Sequence, residues 1–185
     1  YIGKLGTWYM LDEMLQFYRT LRHKQPKARF LLLVDHNQRQ VEQLVIEKGF
    51  QLRDFIIKKA TRAEVPLYLF LSDSSVFFIK PAYSKKGSSP IKFGELLSMG
   101  IPVICNGRVG DMDWIMKDQN LGALVHEFTD AAYAEAAETV MRQTFDPAYI
   151  RSKALQEFSV TNGSLHYQNV YALLLDEPAP TLVLS

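Results

Sequence analysis

Short runs of apolar residues alternate with longer stretches of helical periodicity along the first two thirds of the chain. A continuous apolar run is typical of a strand that is covered on both faces, whereas apolar residues three or four positions apart indicate an amphipathic helix. The apolar runs predict strands at 1–5, 30–34, 55–57, 76–79, 102–105 and 122–125. The periodic stretches predict helices at 8–23, 41–48, 64–71, 90–99 and 111–117.

This alternation predicts an α/β fold with a parallel sheet and helices on both of its faces. From Thr129 onward the pattern is only helical, at 130–142, 147–158 and 161–175. We therefore expect one domain over 1–175 and a tail at 176–185, which frays or docks elsewhere. Ligands bind such sheets beyond the carboxyl ends of the strands. The loops expected at that edge follow Leu5, Ile57, Ile79 and Cys105.

The composition narrows the classes of function. With 185 residues, the chain is long enough for one domain with a full core. Its formal net charge of +1 argues against a broad nucleic-acid surface, and it has no run of about 18 apolar residues that could span a membrane. The one cysteine, Cys105, stands in an apolar run and is predicted to be a small core residue. These properties fit a cytoplasmic protein.

The segment 88–105 carries the first indication of a ligand. Ser89 is predicted to be the N-cap of a helix, with Pro90 as its first residue and Gly100 as its stop. Lys92 then lies in the first turn, where its charge opposes the helix dipole. An anion bound at this end would explain the lysine, because the first N–H groups of a helix have no partner within it. The segment therefore predicts a phosphate site.

Two further features could contribute to such a site. The stretch 3–6, Gly-Lys-Leu-Gly, lies between the first strand and the first helix, where glycines let a phosphate approach the backbone. The alternative is a plain turn. Glu95 lies on the same helix as Lys92 and could accept hydrogen bonds from two ribose hydroxyls. The alternative is a solvated helix residue.

The acidic pair Asp111 and Asp113 has the spacing of metal-binding carboxylates. We favour the alternative that Asp111 caps or begins the short helix that follows. The histidines are scattered and suggest neither a zinc site nor a catalytic triad. They are His23, His36, His126 and His166.

Taken together, these stretches resemble the C-terminal half of a family 4 retaining glycosyltransferase of the GT-B type. The most specific part is 89–104, whose pattern Ser-Pro-x-Lys-x-Gly-Glu-Leu-Leu-Ser-Met-Gly-Ile-Pro-Val-Ile is similar to the family signature around a glutamate. Supporting parts are 65–73, before a strand, and 109–111, before a short helix. The resemblance covers most of the chain and implies a Rossmann-like domain, one half of a GT-B fold.

The resemblance implies that this domain binds a nucleoside-diphosphate sugar and needs neither a metal nor another cofactor. Lys92 and Lys4 would be catalytic, since their positive charge would stabilise the leaving diphosphate. Glu95 would bind the ribose, and the residues after the third strand would border the base. The backbone amides after Ser88 and Ser89 and those near Gly6 would hold the diphosphate. The implied donor-binding set is Gly3, Lys4, Gly6, Ile57, Lys58, Ser88, Ser89, Pro90, Lys92 and Glu95.

The resemblance also implies a longer protein. We expect an acceptor-binding domain before Tyr1, so that residues 1–185 alone would bind the donor weakly and catalyse nothing. The whole protein would transfer sugar to a glycan or lipid-linked acceptor in surface polysaccharide biosynthesis. It would be cytoplasmic, with peripheral association at the inner face of the membrane as a further expectation. Its partners would be the donor and the acceptor domain, and not nucleic acid.

Two departures from the family pattern favour a second interpretation. A lysine followed by glycine, usual at the start of the first helix, is replaced by 7–9, Thr-Trp-Tyr. Gly87 stands where the family often has a further glutamate close to the transferred sugar. The alternative function is therefore a catalytically degenerate nucleotide-sugar-binding module with a scaffolding or regulatory role. A sugar-nucleotide epimerase of similar build is a third interpretation, but the sequence offers no carboxylate and histidine cluster to support it.

Overall fold

The computed structural model describes residues 1–6, 8–35 and 37–175. The strands are β1 (Phe30–Leu33), β2 (Phe55–Lys58), β3 (Ser75–Phe77), β4 (Val103–Asn106) and β5 (Gly122–Val125). The helices are α1 (Leu11–Lys24), α2 (Gln38–Glu47), α3 (Val65–Phe70), α4 (Ile91–Ser98), α5 (Met112–Ile115), α6 (Asp130–Arg142), α7 (Pro147–Phe158) and α8 (Val160–Leu175). No helix among these residues is long and apolar enough to cross a membrane. His36 and the predicted tail at 176–185 lie outside the described residues.

All paired strands run parallel, which confirms the predicted α/β class. β1 pairs with β2, and a second ladder runs in the order β3, β4, β5. The strand predicted at 1–5 is reduced to a single bridge between Ile2 and Leu33. Gly3 has a φ of +125°, so the chain leaves the extended conformation directly after Ile2.

The first helix begins later than predicted because the backbone of residues 8–10 bonds to the end of β3. The Lys80 N–H donates to the Trp8 carbonyl at 2.8 Å, and the Met10 N–H donates to the Phe78 carbonyl at 2.9 Å. These bonds compete with the first turn of a helix starting at Trp8. The segment 8–10 therefore crosses the edge of the sheet, and α1 starts only after it.

Helix α4 is fixed from two sides, since it packs against both β4 and α7. Phe93, Leu96 and Leu97 are fully buried. The Phe158 ring of α7 lies 5.9 Å from the Phe93 ring in an edge-on arrangement. A Cβ added to Gly94 would come within 3.0 Å of Phe158, so this glycine lets the two helices approach closely. Packing on both sides thus fixes the position of α4, including its first turn.

Cys105 is a core residue, as predicted. Its side chain is fully buried in β4. Burial, with a smaller contribution from the Asp113 carboxylate, raises the pKa of the thiol well above its ordinary value. The thiol therefore stays protonated at neutral pH and serves for packing.

Substituting Gly100 with alanine should destabilise the domain. Gly100 follows α4 with a φ of +74°, and a Cβ there would lie 2.8 Å from the Pro147 carbonyl oxygen. The left-handed backbone alone costs an L-residue about 1–2 kcal/mol. We expect the unfolding free energy, measured in urea, to fall by about 2 kcal/mol. Gly163→Ala is the matched control, because this α8 glycine has open space around it and alanine there should be neutral or stabilising. Equal effects of the two substitutions would contradict this account.

Candidate functional site

Several loops meet at the carboxyl edge of the strands, as predicted. The loop 3–6 follows the Ile2 bridge, the loop 78–90 follows β3, and the loop 107–111 follows β4. The Gly110 N–H donates to the Lys85 carbonyl at 2.9 Å and so joins the second loop to the third. This edge is therefore a continuous backbone surface that is fixed by hydrogen bonds between loops.

Asn106, which the sequence analysis missed, connects the ends of β3 and β4. Its Oδ1 accepts from the Ile79 N–H at 2.7 Å, and its Nδ2 donates to the Ile79 carbonyl at 2.9 Å and the Gly107 carbonyl at 3.0 Å. The side chain is buried, and so are these contacts. The available signal was a polar residue directly after an apolar run. Asn106 thus positions the two loops that flank the start of α4.

Lys92 is buried in a setting that is unusual for a lysine. The residue is only 8% exposed, and its Nζ lies 3.6 Å from the ring centroid of Tyr9 and 4.0 Å from that of Tyr1. Nζ has no hydrogen-bond partner among the described residues. Loss of hydration lowers the pKa of the ammonium to about 7, although the Glu95 carboxylate opposes this shift. The cation is therefore held by aromatic faces and lacks a hydrogen-bonding anion.

The Lys92 side chain joins the two predicted phosphate-binding elements. It starts in the first turn of α4 and ends beneath the loop 3–6, where a Cβ added to Gly3 would lie 2.8 Å from Nζ. The Tyr1 hydroxyl donates to the Lys4 carbonyl at 2.5 Å and holds the same loop in place. Glycine at position 3 is thus required both for the positive φ and for the close approach of the lysine.

The start of α4 differs from the prediction by one residue. Pro90, with a ψ of 114°, is the N-cap, and the helix begins at Ile91. Ser89 was predicted as the cap, but its hydroxyl donates to the Asp111 Oδ2 at 3.0 Å instead. The N–H groups of Ile91 and Lys92 have no acceptor among the described residues. Two free donors therefore point out of this helix end, as an anion site requires.

The loop 107–111 packs flush against the loop that leads into α4. A Cβ added to Gly110 would lie 1.7 Å from the Ser88 carbonyl oxygen, so only glycine fits there. The Ser88 hydroxyl donates to the Lys85 carbonyl at 3.0 Å. Together with the bond from Ser89 to Asp111, these contacts make the two loops one unit.

The structure gives Asp111 and Asp113 different roles. Asp111 occupies the N-cap position of α5, as favoured from the sequence, but its side chain makes no capping hydrogen bond. Asp113 accepts from the Arg108 N–H at 2.6 Å and so fixes the loop 107–111. Among the described residues, no group of three histidine, cysteine, aspartate or glutamate side chains could hold a metal ion.

The remaining predicted residues lie along the same edge. Lys4 and Glu95 are exposed, the first in the loop 3–6 and the second one turn into α4. Ile57 is buried near the end of β2, and Lys58 is the exposed last residue of that strand. Lys58 lies opposite Leu33 in the ladder, and Leu33 in turn bonds to the backbone of Gly3. The geometry therefore puts the predicted base-binding end two strands away from the predicted phosphate-binding end.

Two cavities lie outside the loops 3–6 and 78–90. One, of about 830 Å³, opens at the amino ends of β1 and β3, where the short 1–5 segment leaves the strands unjoined. The other, of about 860 Å³, runs along β5 between α5 and α6. Neither is lined by Lys92 or Glu95.

The sequence matches no protein-family profile and no curated protein. Solved structures do match. AviGT4, a glycosyltransferase involved in avilamycin A biosynthesis, superposes with a TM-score of 0.65 at 16% identity, over 95% of this chain and 50% of that chain. The pneumococcal O-GlcNAc transferase GtfA, in complex with UDP and GlcNAc, superposes with a TM-score of 0.66 at 14% identity. This match covers 94% of this chain and 35% of that chain.

The fold is that of a GT-B half, as in these two glycosyltransferases. A Listeria monocytogenes protein described as a UDP-N-acetylglucosamine 2-epimerase has the same architecture, with a TM-score of 0.52 at 10% identity over 100% of this chain and 46% of that chain. The chain thus spans half or less of these three proteins. At such identities the likeness establishes the fold, so the predicted Rossmann-like GT-B half is confirmed. Membership of family 4, the retaining mechanism and the site residues stay predictions.

Proposed function

We propose that this GT-B half is the donor-binding domain of a retaining glycosyltransferase of the family 4 type. It takes a sugar from a nucleoside-diphosphate sugar and, together with a second domain, transfers it to a glycan or lipid-linked acceptor in surface polysaccharide biosynthesis. The observation that carries the proposal is the Lys92 ammonium. It is buried without a hydrogen-bond partner among the described residues, at the meeting point of a free helix end and a glycine loop.

The diphosphate binds between the start of α4 and the loop 3–6. The free N–H groups of Ile91 and Lys92 and the positive end of the helix dipole favour an anion there. Gly3 keeps the loop backbone close to the Lys92 ammonium, so a phosphate bound on this loop lies near that positive charge. Binding gives the buried ammonium the counter-charge that the aromatic rings supply only in part. Lys4, exposed in the same loop, adds a second positive charge.

These groups also supply what sugar transfer requires. As the bond between the sugar and the diphosphate breaks, negative charge grows on the departing oxygen. Lys92 and Lys4 stabilise that charge, and the N–H groups of α4 do so without reorganising, because packing holds the helix in place. In this proposal the positive charge comes from the protein, so neither a metal nor another cofactor takes part.

Glu95 and the end of β2 hold the nucleoside. Glu95 lies three residues after Lys92, about 5 Å further along the helix axis, which suits a ribose next to a diphosphate. Its carboxylate is exposed and can accept hydrogen bonds from two hydroxyl groups. Ile57 supplies a buried apolar border for the base, and Lys58 supplies a polar one.

Titration with UDP and GDP, followed by NMR or calorimetry, tests this proposal. We expect one of these two nucleotides to shift the resonances of residues 3–6 and of α4. Glu95→Ala should weaken binding about tenfold, because hydrogen bonds to a charged acceptor are lost. Glu135→Ala is the matched control, since it removes an exposed carboxylate from α6. Unchanged wild-type spectra with both nucleotides at millimolar concentration would contradict the proposal.

A binding module without transfer activity is the second candidate, and two positions favour it. Gly87 is exposed, and nothing lies within 4 Å of a Cβ placed there, so no carboxylate is contributed from that position. Trp8 belongs to the stretch 7–9, where the family usually has a lysine followed by glycine, and its carbonyl accepts from the Lys80 N–H. Turnover of a donor panel by the whole protein supports the transferase, whereas binding without turnover supports the module.

A further inference from the structure

One carboxylate oxygen beside the start of α4 is enclosed without a partner. Asp111 Oδ2 accepts from the Ser89 hydroxyl at 3.0 Å, whereas Oδ1 is inaccessible to solvent and has no hydrogen-bond partner among the described residues. A buried carboxylate oxygen without a donor is unfavourable, because the hydration lost is not replaced. The position therefore needs an explanation beyond loop packing.

The contacts around Asp111 do not supply that explanation. The residue occupies the N-cap position of α5 but makes no capping bond. The neighbouring Asp113 already fixes the loop through the Arg108 N–H. A metal ion is not indicated either, since no cluster of three ligating side chains exists in the described part of the chain. An ionised carboxylate oxygen only accepts hydrogen bonds, so the group that completes this position is a donor such as a hydroxyl.

The surroundings define which ligand brings that hydroxyl. Ser89 connects Asp111 to the free end of α4, where the proposed diphosphate binds and where Lys92 supplies positive charge. A hydrogen-bond acceptor therefore stands within a few residues of an anion site. The complementary ligand is a phosphate that carries neighbouring hydroxyl groups. Since Glu95, one turn further along α4, is assigned to the ribose, the remaining hydroxyls are those of the donor sugar.

We propose that Asp111 binds a hydroxyl group of the donor sugar and thereby determines which sugar this site accepts. The inference rests on the proposed donor-binding function. In the free protein the Ser89 hydroxyl occupies one oxygen of this carboxylate, and it is the one hydrogen bond that the described residues make to the carboxylate. Rotation of the side chain releases Ser89 and presents the carboxylate to the sugar. Asp111 thus compensates for the side chain that Gly87 lacks, because Gly110 and Ser88 hold both loops at the same helix end.

The test compares nucleotides with and without the sugar. Dissociation constants are measured for UDP and GDP and for UDP-glucose, UDP-galactose, UDP-N-acetylglucosamine and GDP-mannose, on the wild type and on Asp111→Asn. We expect the substitution to weaken the best nucleotide sugar about tenfold and to leave the parent diphosphate within twofold. Asp73→Asn is the matched control, since it removes an exposed carboxylate at the amino edge, and it should change neither constant.

Ser89→Ala is the second variant and separates recognition from loop packing. It removes the hydroxyl that competes for Asp111 but keeps the backbone amide assigned to the diphosphate, so the affinity gained from the sugar should be kept or increased. The inference would be overturned if Ser89→Ala lost the extra affinity for the nucleotide sugar to the same extent as Asp111→Asn. Packing of the two loops, and not contact with the sugar, would then explain the loss. An equal effect of Asp111→Asn on diphosphate and nucleotide sugar, or no effect on either, would also overturn it. Absence of all binding by the wild type overturns the proposed function together with the inference.

Discussion

Lys92→Met should abolish the proposed donor binding and, at pH 7, make the domain more stable. The ammonium is buried among Tyr1, Tyr9 and Phe77 with no hydrogen-bond acceptor in the described residues, so its charge opposes folding. Methionine has a similar length and fits against aromatic rings. Replacing a buried ion pair with well-packed apolar side chains often gains about 1–4 kcal/mol, and we expect a gain in this range here. Urea unfolding of both proteins at pH 7 measures this gain.

The pH dependence of stability tests independently whether the Lys92 charge opposes folding. The pKa of Lys92 is about 7 in the folded protein and has its ordinary value of 10.5 when unfolded. Between these values the unfolded chain holds the proton more tightly, so the unfolding free energy of the wild type should rise with pH. Lys92→Met should lack this rise, whereas Lys27→Met, at an exposed lysine on the amino edge, should keep it. A Lys92→Met protein that is less stable than the wild type at pH 7 would contradict this account.

The same group should make donor binding weaker as the pH rises above 7. A bound diphosphate raises the pKa of Lys92, so binding takes up a proton and the Kd increases by up to about tenfold per pH unit. The other groups facing the ammonium do not interfere. Burial raises the pKa of both the Tyr1 and the Tyr9 phenol, so neither phenol ionises near neutral pH. A nucleotide sugar is the suitable ligand, because its diphosphate does not titrate in this range.

Asn106→Leu should cause one of the largest losses of stability in the domain. Its amide makes three buried hydrogen bonds, two of them to the backbone of Ile79. Leucine leaves that N–H and carbonyl buried without these partners, and each such group costs about 1–3 kcal/mol. We expect the unfolding free energy to fall by about 3 kcal/mol or more. Thermal or urea unfolding measures the change.

The matched control for this substitution is Asn169→Leu. Asn169 is exposed on α8, so leucine there should alter the unfolding free energy by less than about 0.5 kcal/mol. The two variants make the same chemical change and differ only in burial and bonding. A similar small effect of both would show that Asn106 does not hold β3 and β4 together.

The sequence predicted best where local spacing and capping decide the outcome. Helices α6 and α7 match the predicted bounds to the residue. Each begins after a side chain that accepts from a backbone N–H of the first turn, Thr129 for α6 and Asp146 for α7. The apolar spacing and the capping residue of each helix lie next to each other in the chain. The bounds of the two helices therefore do not depend on a distant partner.

Predictions failed where a distant partner decides the local structure. The backbone of residues 8–10 is bonded to the end of β3, some 70 residues later, which delays α1. Ser89 lost its capping role to Asp111, a contact across 22 residues. The aromatic enclosure of Lys92 likewise depends on Tyr1 and Tyr9, which are far from it in sequence. The position of Lys92 in the first turn was predictable, but its burial was not.

The close packing of Phe158 on Gly94 determines how much of the chain the proposed site requires. All of the predicted binding residues lie before β4, so a fragment that ends with the sheet would keep every one of them. Such a fragment would nevertheless leave the outer face of α4 bare, and the free N–H groups at its start would lose their fixed direction. Helix α7 therefore supports the geometry of the proposed binding site. The need for this support would limit how far the domain could be shortened before the proposed binding is lost.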